Sequence, residues 1–499
     1  MPAPNTFCPR ARAMRVLGDE GMARVMDNLE PGGSGIAADG LTKEQADVLA
    51  EATSMGFPPR AWFCTPFMGD GSLMVLAPYV YAIYPQYFTE FWTKEGFAGA
   101  DPDSSEAKAR VRFVTTVKEL ISRKKEKGGE FTSVDNSWIN TMVGNVETPL
   151  IRMSEQPPEG SYLFHCRIRV LDGAAAGKEC SIETIEDGIV TVSSAFDGGN
   201  SQDALAGLAV GDRIMIDNSD YLAMQTLHRH QVPDSSFKVY DQFKDPEGKP
   251  LYPQLPMLIA PEIARNGGGS IQSGDIHGKM IAVCSLLDES ASPWHGDWYL
   301  RKVEGCLGDQ TADHFRLYYN DNCIHDDRAG YLDDPWHQVD YLGILHQALL
   351  DVADWCEKGV APAPNTSYQY EDGQIIVPEN ADKRHGLQPV VHALANGEKC
   401  VTVSVGEAVT FTAQIEVPAG TGRVTAAAWD YEKTGDFTRE EKLNLSENGE
   451  QATVTTAHSF SKPGVYFPVI KVKSNRKGTL EDIFTQCKNL DRVRVIVKG

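Results

Sequence analysis

Basic residues are scarce in this chain, and the shortage excludes one class of partner. The 499 residues carry 47 Lys and Arg against 69 Asp and Glu, a formal net charge of −22. Nucleic acids and anionic lipid surfaces are bound through cationic faces. We therefore expect no nucleic acid and no membrane among its partners.

Closely spaced cysteines and long apolar runs are also missing. The ten cysteines form no CxxC pair, which disfavours a zinc ribbon or a thioredoxin-type site, and we predict no metal and no cofactor. The longest apolar stretch, 73–84, is interrupted by Pro78 and is too short to span a bilayer. The first residues lack an apolar core of signal-peptide length, so no export signal is visible.

What is present predicts a multidomain chain of α/β and β parts, since about 150 residues per domain gives roughly three domains. Thr42 and Gln45 form a capping-box pattern that opens a helix, and the charged, periodic stretch 107–127 is predicted to be another. From residue 161 the hydrophobic period changes to two. We predict 1–155 as a mostly helical, lid-like region, 156–235 as a small β-barrel or sandwich insertion, 236–365 as an α/β unit, 366–398 as a linker and 399–499 as a β-sandwich.

The α/β unit is predicted from an apolar run followed by alternating elements. Residues 279–287 form a near-continuous apolar run, the pattern of a strand buried on both faces of a parallel sheet. A helix over 293–305, a strand over 315–319 and a helix over 339–358 follow. If the chain is stable alone, we expect the N-terminal helices to cover the first strand; otherwise a partner chain must.

Two residues of this unit can carry chemistry. Asp288 follows the first strand and His325 the second, and loops at the carboxyl ends of parallel strands converge. An Asp there can orient a His that acts as general base for a nucleophile. The alternative is a helix-capping Asp288 and a solvated loop histidine.

A resemblance favours the first interpretation. The segments GKMIAVCSLLDESASPWHGDWYLRKV, FRLYYNDNCIHDD and ALLDVADWCEKGVAPAP resemble the C-terminal part of α/β-hydrolases of the tannase and feruloyl-esterase type, over about 85 residues. The resemblance implies a partial α/β-hydrolase core, a small-molecule ester as substrate, Asp288 as the triad acid and His325 as the base. Trp294 and Trp298 are candidate substrate-binding residues for an aromatic or apolar acyl group, although core packing explains them equally well.

The expected nucleophile is missing from this pattern. No G-x-S-x-G occurs, and the nearest serine motif, A-x-S-x-G at Ser54, is predicted to be a helix end that Gly56 terminates. We therefore expect the nucleophile on a second chain or on a segment that precedes this sequence. A decayed enzyme that keeps Asp288 and His325 as structural residues is the other account.

Two further clusters contain residue types that bind metals. His228 and His230 flank Arg229, but a third ligand cannot be placed, which favours a polar loop at a domain interface. The acidic loop from 321 to 334 lacks the spacing of an EF-hand, which favours a solvated loop.

The C-terminal segment carries a second resemblance. AAWDY at 427–431 and HSFSKPGVY at 458–466 resemble a PKD-type, Ig-like β-sandwich, in which Trp429 is a core residue. Such domains are usually extracytoplasmic, which the resemblance implies for this chain, although the sequence itself leaves its localisation open. A non-catalytic surface or carbohydrate-binding protein built on its β domains is therefore the alternative to a hydrolase.

Overall fold

The computed structural model describes residues 7–67, 73, 76–121, 149–193, 200–255, 272–325, 327 and 334–499. The chain divides into two compact units, each described by itself below. The first comprises Met1–Met68, Pro233–Lys244 and Ala264–Gly499, and the second comprises Gly69–Val232 and Asp245–Ile263.

The helices and strands are numbered in chain order. The α-helices are α1 (Phe7–Leu29), α2 (Lys43–Ser54), α3 (Ala77–Ile83), α4 (Tyr87–Thr93), α5 (Ser105–Ala109), α6 (Asn200–Gly207), α7 (Ser219–Gln225), α8 (Trp294–Leu307), α9 (Thr311–His314), α10 (Leu342–Lys358) and α11 (Ala381–Arg384). The strands are β1 (Arg112–Ile121), β2 (Leu150–Met153), β3 (Arg167–Val170), β4 (Glu179–Glu186), β5 (Ile189–Ser193), β6 (Arg213–Asp217), β7 (Met280–Ser285), β8 (Phe315–Asn320), β9 (Gln369–Glu371), β10 (Gln374–Ile376), β11 (Val390–Ala395), β12 (Cys400–Ser404), β13 (Ala408–Glu416), β14 (Arg423–Asp430), β15 (Asn444–Leu445), β16 (Gln451–Ser459), β17 (Gly464–Tyr466), β18 (Val469–Asn475), β19 (Cys487–Arg492) and β20 (Arg494–Lys498).

The first unit opens with two helices that share an apolar core with the 3₁₀ turn at Pro59–Phe67. The predicted capping box starts α2, because the Thr42 hydroxyl accepts from the Gln45 amide while the Gln45 side chain accepts from the Thr42 amide. Gly56, with φ +97°, follows its last turn, and a Cβ at Gly56 would collide with the Trp294 ring at 2.1 Å. The helix end predicted around Ser54 is confirmed.

The predicted α/β unit is confirmed as β7-α8-β8-α10. The two strands are parallel and in register from Met280 opposite Phe315 to Ser285 opposite Asn320. Alternate residues of β7 face two clusters, one with α8 and one with α10. Gly359, in the left-handed region at φ 68°, ends α10 as the sequence indicates.

The covering of β7 differs from the expectation. Ile281 and Val283 are partly buried, and they pack with Ile344 of α10, Leu387 and Cys487 of β19. The cover on this face thus comes from residues after β7 in the chain, not from the N-terminal helices. Helix α10 follows β8 in the chain and packs back onto the face of the sheet that Ile281 and Val283 form.

The C-terminal β domain has three sheets around one core. Their strand orders are β11-β13-β16-β15, β12-β20-β17 and β14-β18-β19. Strands from all three sheets contribute to a single cluster that includes Phe411, Trp429 and Val495. Trp429 is a core residue, as predicted. Val390–Ala395, placed in the linker by the sequence analysis, is instead a strand of the four-stranded sheet, paired in register with β13.

The second unit contains a closed antiparallel barrel with strand order β1-β2-β5-β4-β3-β6. Its interior is filled by alternate apolar residues of these strands, among them Val117, Ile168 and Ile214. Of the two forms predicted for the middle of the chain, a small barrel or a sandwich, the structure has the barrel.

The helix predicted over 107–127 is wrong for most of its length. Arg112–Ile121 is strand β1, which pairs with β2 on one side and β6 on the other, so the barrel begins before residue 156. Val114, Thr115, Thr116 and Val117 are β-branched, and pairing on both edges outweighs the helical appearance given by the charges. Within the described part of this stretch only Ser105–Ala109 is helical, and residues 122–127 lie outside it.

Candidate active site

The site lies where two parallel strands end. Beyond the last paired residues, the segments that follow β7 and β8 continue side by side, because the Leu286 amide donates to Asn320 O at 2.8 Å and the Leu287 amide to Cys323 O at 2.9 Å. Asp288 is the residue after Leu287, and His325 lies two residues after Cys323. The apolar strands therefore bring together two residues that are 37 positions apart.

Asp288 and His325 form a hydrogen-bonded pair. The Nδ1 atom of His325 lies 3.1 Å from both carboxylate oxygens of Asp288. This separation is within the range of about 2.6–3.2 Å expected for such a pair, so the geometric expectation is confirmed. The Asp288 side chain is 14% exposed and the His325 side chain 54%, so the acid is enclosed while the imidazole is open to solvent.

Backbone groups hold the Asp288 carboxylate in place. Its Oδ1 atom accepts from the Ser290 amide at 2.9 Å and from the Ala291 amide at 2.6 Å. Helix α8 begins only at Trp294, so Asp288 caps a turn before the helix and not the helix itself. These two donors fix the orientation of the carboxylate toward the imidazole.

Glu289 connects the two loops, a role that the sequence analysis did not identify. Its Oε2 atom accepts from the His325 amide at 3.2 Å, and its backbone carbonyl accepts from the Arg10 guanidinium of α1. Burial, together with the charge of Asp288, raises the pKa of Glu289. The only sequence signal for this residue was its position beside Asp288.

Two nearby residues are unsuited to reactive roles at neutral pH. Burial, with a contribution from Asp288, raises the pKa of the Cys284 thiol to about 12. Burial lowers the pKa of His295 to about 4, so this imidazole is neutral. A thiol that stays protonated is a poor nucleophile. Of these four side chains, Asp288 and His325 have the arrangement suited to proton transfer.

The two tryptophans predicted to bind substrate occupy different environments. Trp294 is 3% exposed, and its indole N–H donates to Met55 O at 3.1 Å, which is a core position. Trp298 stacks on Phe237, with ring centroids 5.4 Å apart, and the Lys302 ammonium lies over the Trp298 ring, 5.4 Å from its centroid. Their substrate-binding role stays a prediction.

The histidines considered as metal ligands lie in the interior of the second unit. His228 and His230 are 0% and 1% exposed and belong to the 3₁₀ turn Leu227–His230, so they do not lie in an open loop. His230 Nδ1 lies 2.7 Å from Pro253 O, the ring stacks on Phe97, and burial lowers the pKa of His230 to about 4. The described residues contain no group of three potential metal ligands. Asp326 and Asp333 of the acidic loop lie outside the described residues.

The two motifs of the C-terminal domain meet in the structure. His458 stacks on Tyr431 with ring centroids 4.3 Å apart and an interplanar angle of 2°. Asp430 accepts from the Gly435 amide at 2.7 Å and from the Trp336 indole N–H at 2.9 Å, which ties the turn after β14 to the segment preceding α10. These contacts are structural.

Comparisons with known proteins identify no family. No protein-family model and no curated protein matches the sequence. The chain is similar to three solved β-domain structures: a CARDB domain from Pyrococcus furiosus (14% identity, 22% of this chain and 96% of that one, TM-score 0.17), the GspB Siglec domain (14%, 22% and 57%, 0.16) and the ASH/PapD-like domain of human CEP192 (15%, 28% and 97%, 0.14). Among the described residues, no helix is long and apolar enough to cross a membrane.

Proposed function

We propose that this chain carries the acid–base pair of an ester hydrolase of the Ser-His-Asp type. The observation that supports the proposal is the hydrogen bond between Asp288 and His325 at the carboxyl ends of β7 and β8. In this mechanism the imidazole takes the hydroxyl proton of serine as that oxygen attacks the ester carbonyl, and it returns the proton to the departing alcohol. Asp288 orients the ring and stabilises its transient positive charge.

The nucleophile in this proposal is a serine supplied from outside this sequence. The sequence has no G-x-S-x-G, and Ser54 lies at the end of α2 without a preceding strand. A serine held on a strand-to-helix turn is what the mechanism requires. The His325 side chain is 54% exposed, so a serine on a second chain or on a preceding segment can approach its ring.

We propose a corresponding assignment of the two folds in the first unit. The unit β7-α8-β8-α10 would be the last part of an α/β-hydrolase core of the tannase and feruloyl-esterase type, and the C-terminal domain a PKD-type, Ig-like sandwich. The parallel register of β7 and β8 and the packing of His458 on Tyr431 support these assignments. The substrate would be a small-molecule ester.

The test pairs this chain with a serine elbow. The chain would be expressed with a G-x-S-x-G segment or chain encoded beside it, and hydrolysis of short nitrophenyl esters would be measured. We expect turnover that Asp288→Asn lowers about 10⁴-fold, the effect of removing the triad acid in other enzymes of this type. His325→Ala should lower turnover by at least as much.

The control is a carboxylate remote from the chemistry. Asp354→Asn removes a surface partner of Lys358 and should leave kcat unchanged. Turnover that does not respond to His325→Ala would contradict the proposal. Absence of turnover in every such combination would favour the non-catalytic alternative.

A further inference from the structure

The first unit contains a cavity of about 470 Å³ whose lining does not include Asp288 or His325. Its walls come from the end of α1, the turn after β8, the segment around α11 and strands β11 and β19. The volume falls within the range of about 300–1,000 Å³ typical of small-molecule sites. Charged side chains from four different segments line it, so the charge of a ligand decides whether this cavity can bind it.

Arg384 lines this cavity with a guanidinium group that is only partly hydrogen-bonded. Its side chain is 8% exposed, and its Nε atom donates to Pro378 O at 2.6 Å. Its Nη1 atom lies 4.0 Å from Asp321 Oδ2, which is beyond hydrogen-bonding distance. Among the described residues, no acceptor lies within hydrogen-bonding distance of either terminal nitrogen. The guanidinium stem is thus held in place, while its two terminal nitrogens keep donors that a ligand in the cavity can use.

A second guanidinium shares the same carboxylate. Arg60 Nη1 lies 3.2 Å from Asp321 Oδ1, and its Nη2 atom donates to Asn322 Oδ1. Asp321 therefore serves two arginines, of which only Arg60 is within hydrogen-bonding distance. This corner of the cavity has an excess of positive charge.

The remaining charges of the wall do not cancel this excess by pairing. Arg492 pairs with Glu30 at 2.6 Å and Lys399 pairs with Asp491, so these four charges are matched. Glu379 adds one negative charge, which acts on Arg384 through space, but its side chain is exposed and, within the described part of the chain, its carboxylate forms no ion pair.

We propose that this cavity binds a small molecule through an oxyanion, a carboxylate or phosphate group that hydrogen-bonds to Arg384 and Arg60. The planar guanidinium offers two parallel N–H groups that match two oxygens of such an anion. Phe63, stacked on His337 with ring centroids 4.2 Å apart, adds an apolar side chain to the lining of the same cavity. The inference goes beyond the proposed ester hydrolysis and requires no reaction.

Binding is tested with two probes on the full chain. Inorganic phosphate and benzoate would each be titrated into the protein in a calorimeter, and the two arms distinguish a phosphate from an aromatic carboxylate. We expect saturable binding of at least one probe. Arg60→Gln and Arg384→Gln should each weaken it about tenfold or more, because each removes a charge-assisted hydrogen bond. The net charge of −22 disfavours non-specific anion binding, so any saturable signal reports a local site.

Arg301→Gln is the matched control, because Arg301 also pairs with one carboxylate, Asp297, and its side chain is 47% exposed. It should bind the probes like the wild type. If Arg384→Gln fails to fold by circular dichroism, Arg60→Gln decides, since that side chain is 44% exposed. No saturable binding of either probe, binding unchanged by Arg60→Gln, or equal loss in Arg301→Gln would overturn the proposal. Because this experiment measures binding and not ester hydrolysis, a negative result would overturn the anion site without bearing on the hydrolase proposal.

Discussion

Glu30, which directly follows α1, joins three parts of the first unit through one carboxylate. It accepts from Arg492 Nη2 at 2.6 Å and from Arg492 Nε at 3.1 Å, and its Oε1 lies 2.8 Å from His337 Nε2. Burial alone would raise the pKa of Glu30, but the hydrogen bond from His337 and the charge of Arg492 lower it. The charged form is thus the one that the fold stabilises.

We predict that Glu30→Gln lowers the free energy of unfolding by about 3–5 kcal/mol, the usual cost of removing one partner from a buried ion pair. Arg492 is left without its carboxylate, and its side chain is only 9% exposed. Urea unfolding measures the effect, in the transition that reports the first unit, since a chain of two units need not unfold in one step.

Asp27→Asn is the matched control for Glu30→Gln. Asp27 also pairs with an arginine of the C-terminal domain, Arg494 at 2.6 Å, but its side chain is 69% exposed. Exposed pairs contribute about 0–1 kcal/mol, so this variant should unfold almost like the wild type. Equal losses of unfolding free energy in both variants would show that burial of the Glu30–Arg492 pair is not the cause of the effect.

The lowered pKa of Glu30 also fixes the direction of a pH dependence. A carboxyl group whose pKa is lower in the folded state stabilises the fold above its unfolded pKa, and this contribution is lost as the pH falls through the folded pKa. We therefore predict that the advantage of the wild type over Glu30→Gln is constant near neutral pH. It should shrink as the pH falls below the ordinary pKa of glutamate, which urea unfolding at a series of pH values would show.

At the scale of elements, hydrophobic period predicted most strands correctly. The runs that became β3 to β8 all alternate or are continuously apolar between turn residues, and α10 carries both its amphipathic period and its terminal Gly359. These signals are local, so a single sequence contains them. Strand β1 was missed because its charged residues, Lys118 and Glu119, resemble a helix surface, while its partners β2 and β6 are distant in sequence.

The candidate site was predictable only where it follows local patterns. Asp288 and His325 were found because each follows an apolar strand. The contacts of Arg60 with Asp321 and of Glu30 with Arg492 join residues 261 and 462 positions apart. No period or spacing in the sequence indicates them, since they depend on how whole elements pack.

Close packing of α10 against the C-terminal domain leads to a prediction for Gly343. A Cβ at this position would lie 1.9 Å from Gln486 O and 2.3 Å from Gln486 C, both backbone atoms that cannot rotate away. We predict that Gly343→Ala destabilises the first unit by about 1–3 kcal/mol, because the helix must move off the segment preceding β19. Thermal or urea unfolding measures it.

A second helical glycine provides the control for that substitution. Gly305 in α8 is exposed, and a Cβ there would meet nothing within 4 Å. Gly305→Ala should therefore stabilise the protein by up to about 1 kcal/mol, the difference in helix propensity. Destabilisation by both substitutions would indicate that the close approach to Gln486 is not the cause.

At the scale of the whole molecule, the parallel sheet is covered by its own chain on both faces, although incompletely. Met280, Ala282 and Cys284 pack toward α8, and Ile281 and Val283 pack toward α10, yet all five are only partly buried. Such a strand neither demands a partner for its faces nor excludes a further strand at its edge. A core of this kind is compatible with a chain that folds by itself and with the proposed supply of the serine nucleophile by a second chain or a preceding segment.

The last prediction follows from that arrangement and concerns the activity of this chain alone. An Asp and a His without a serine nucleophile perform no acyl transfer, so purified protein should hydrolyse short nitrophenyl esters at close to the background rate. Ser54 is the serine to test against this, because it stands in the nearest motif to an elbow, although it ends α2. Ser54→Ala should leave the rate unchanged. Robust turnover by the wild type that Ser54→Ala abolishes would place the nucleophile within this chain. That result would overturn the proposal that the serine comes from outside this sequence. The roles of Asp288 and His325 would still be tested by their own variants.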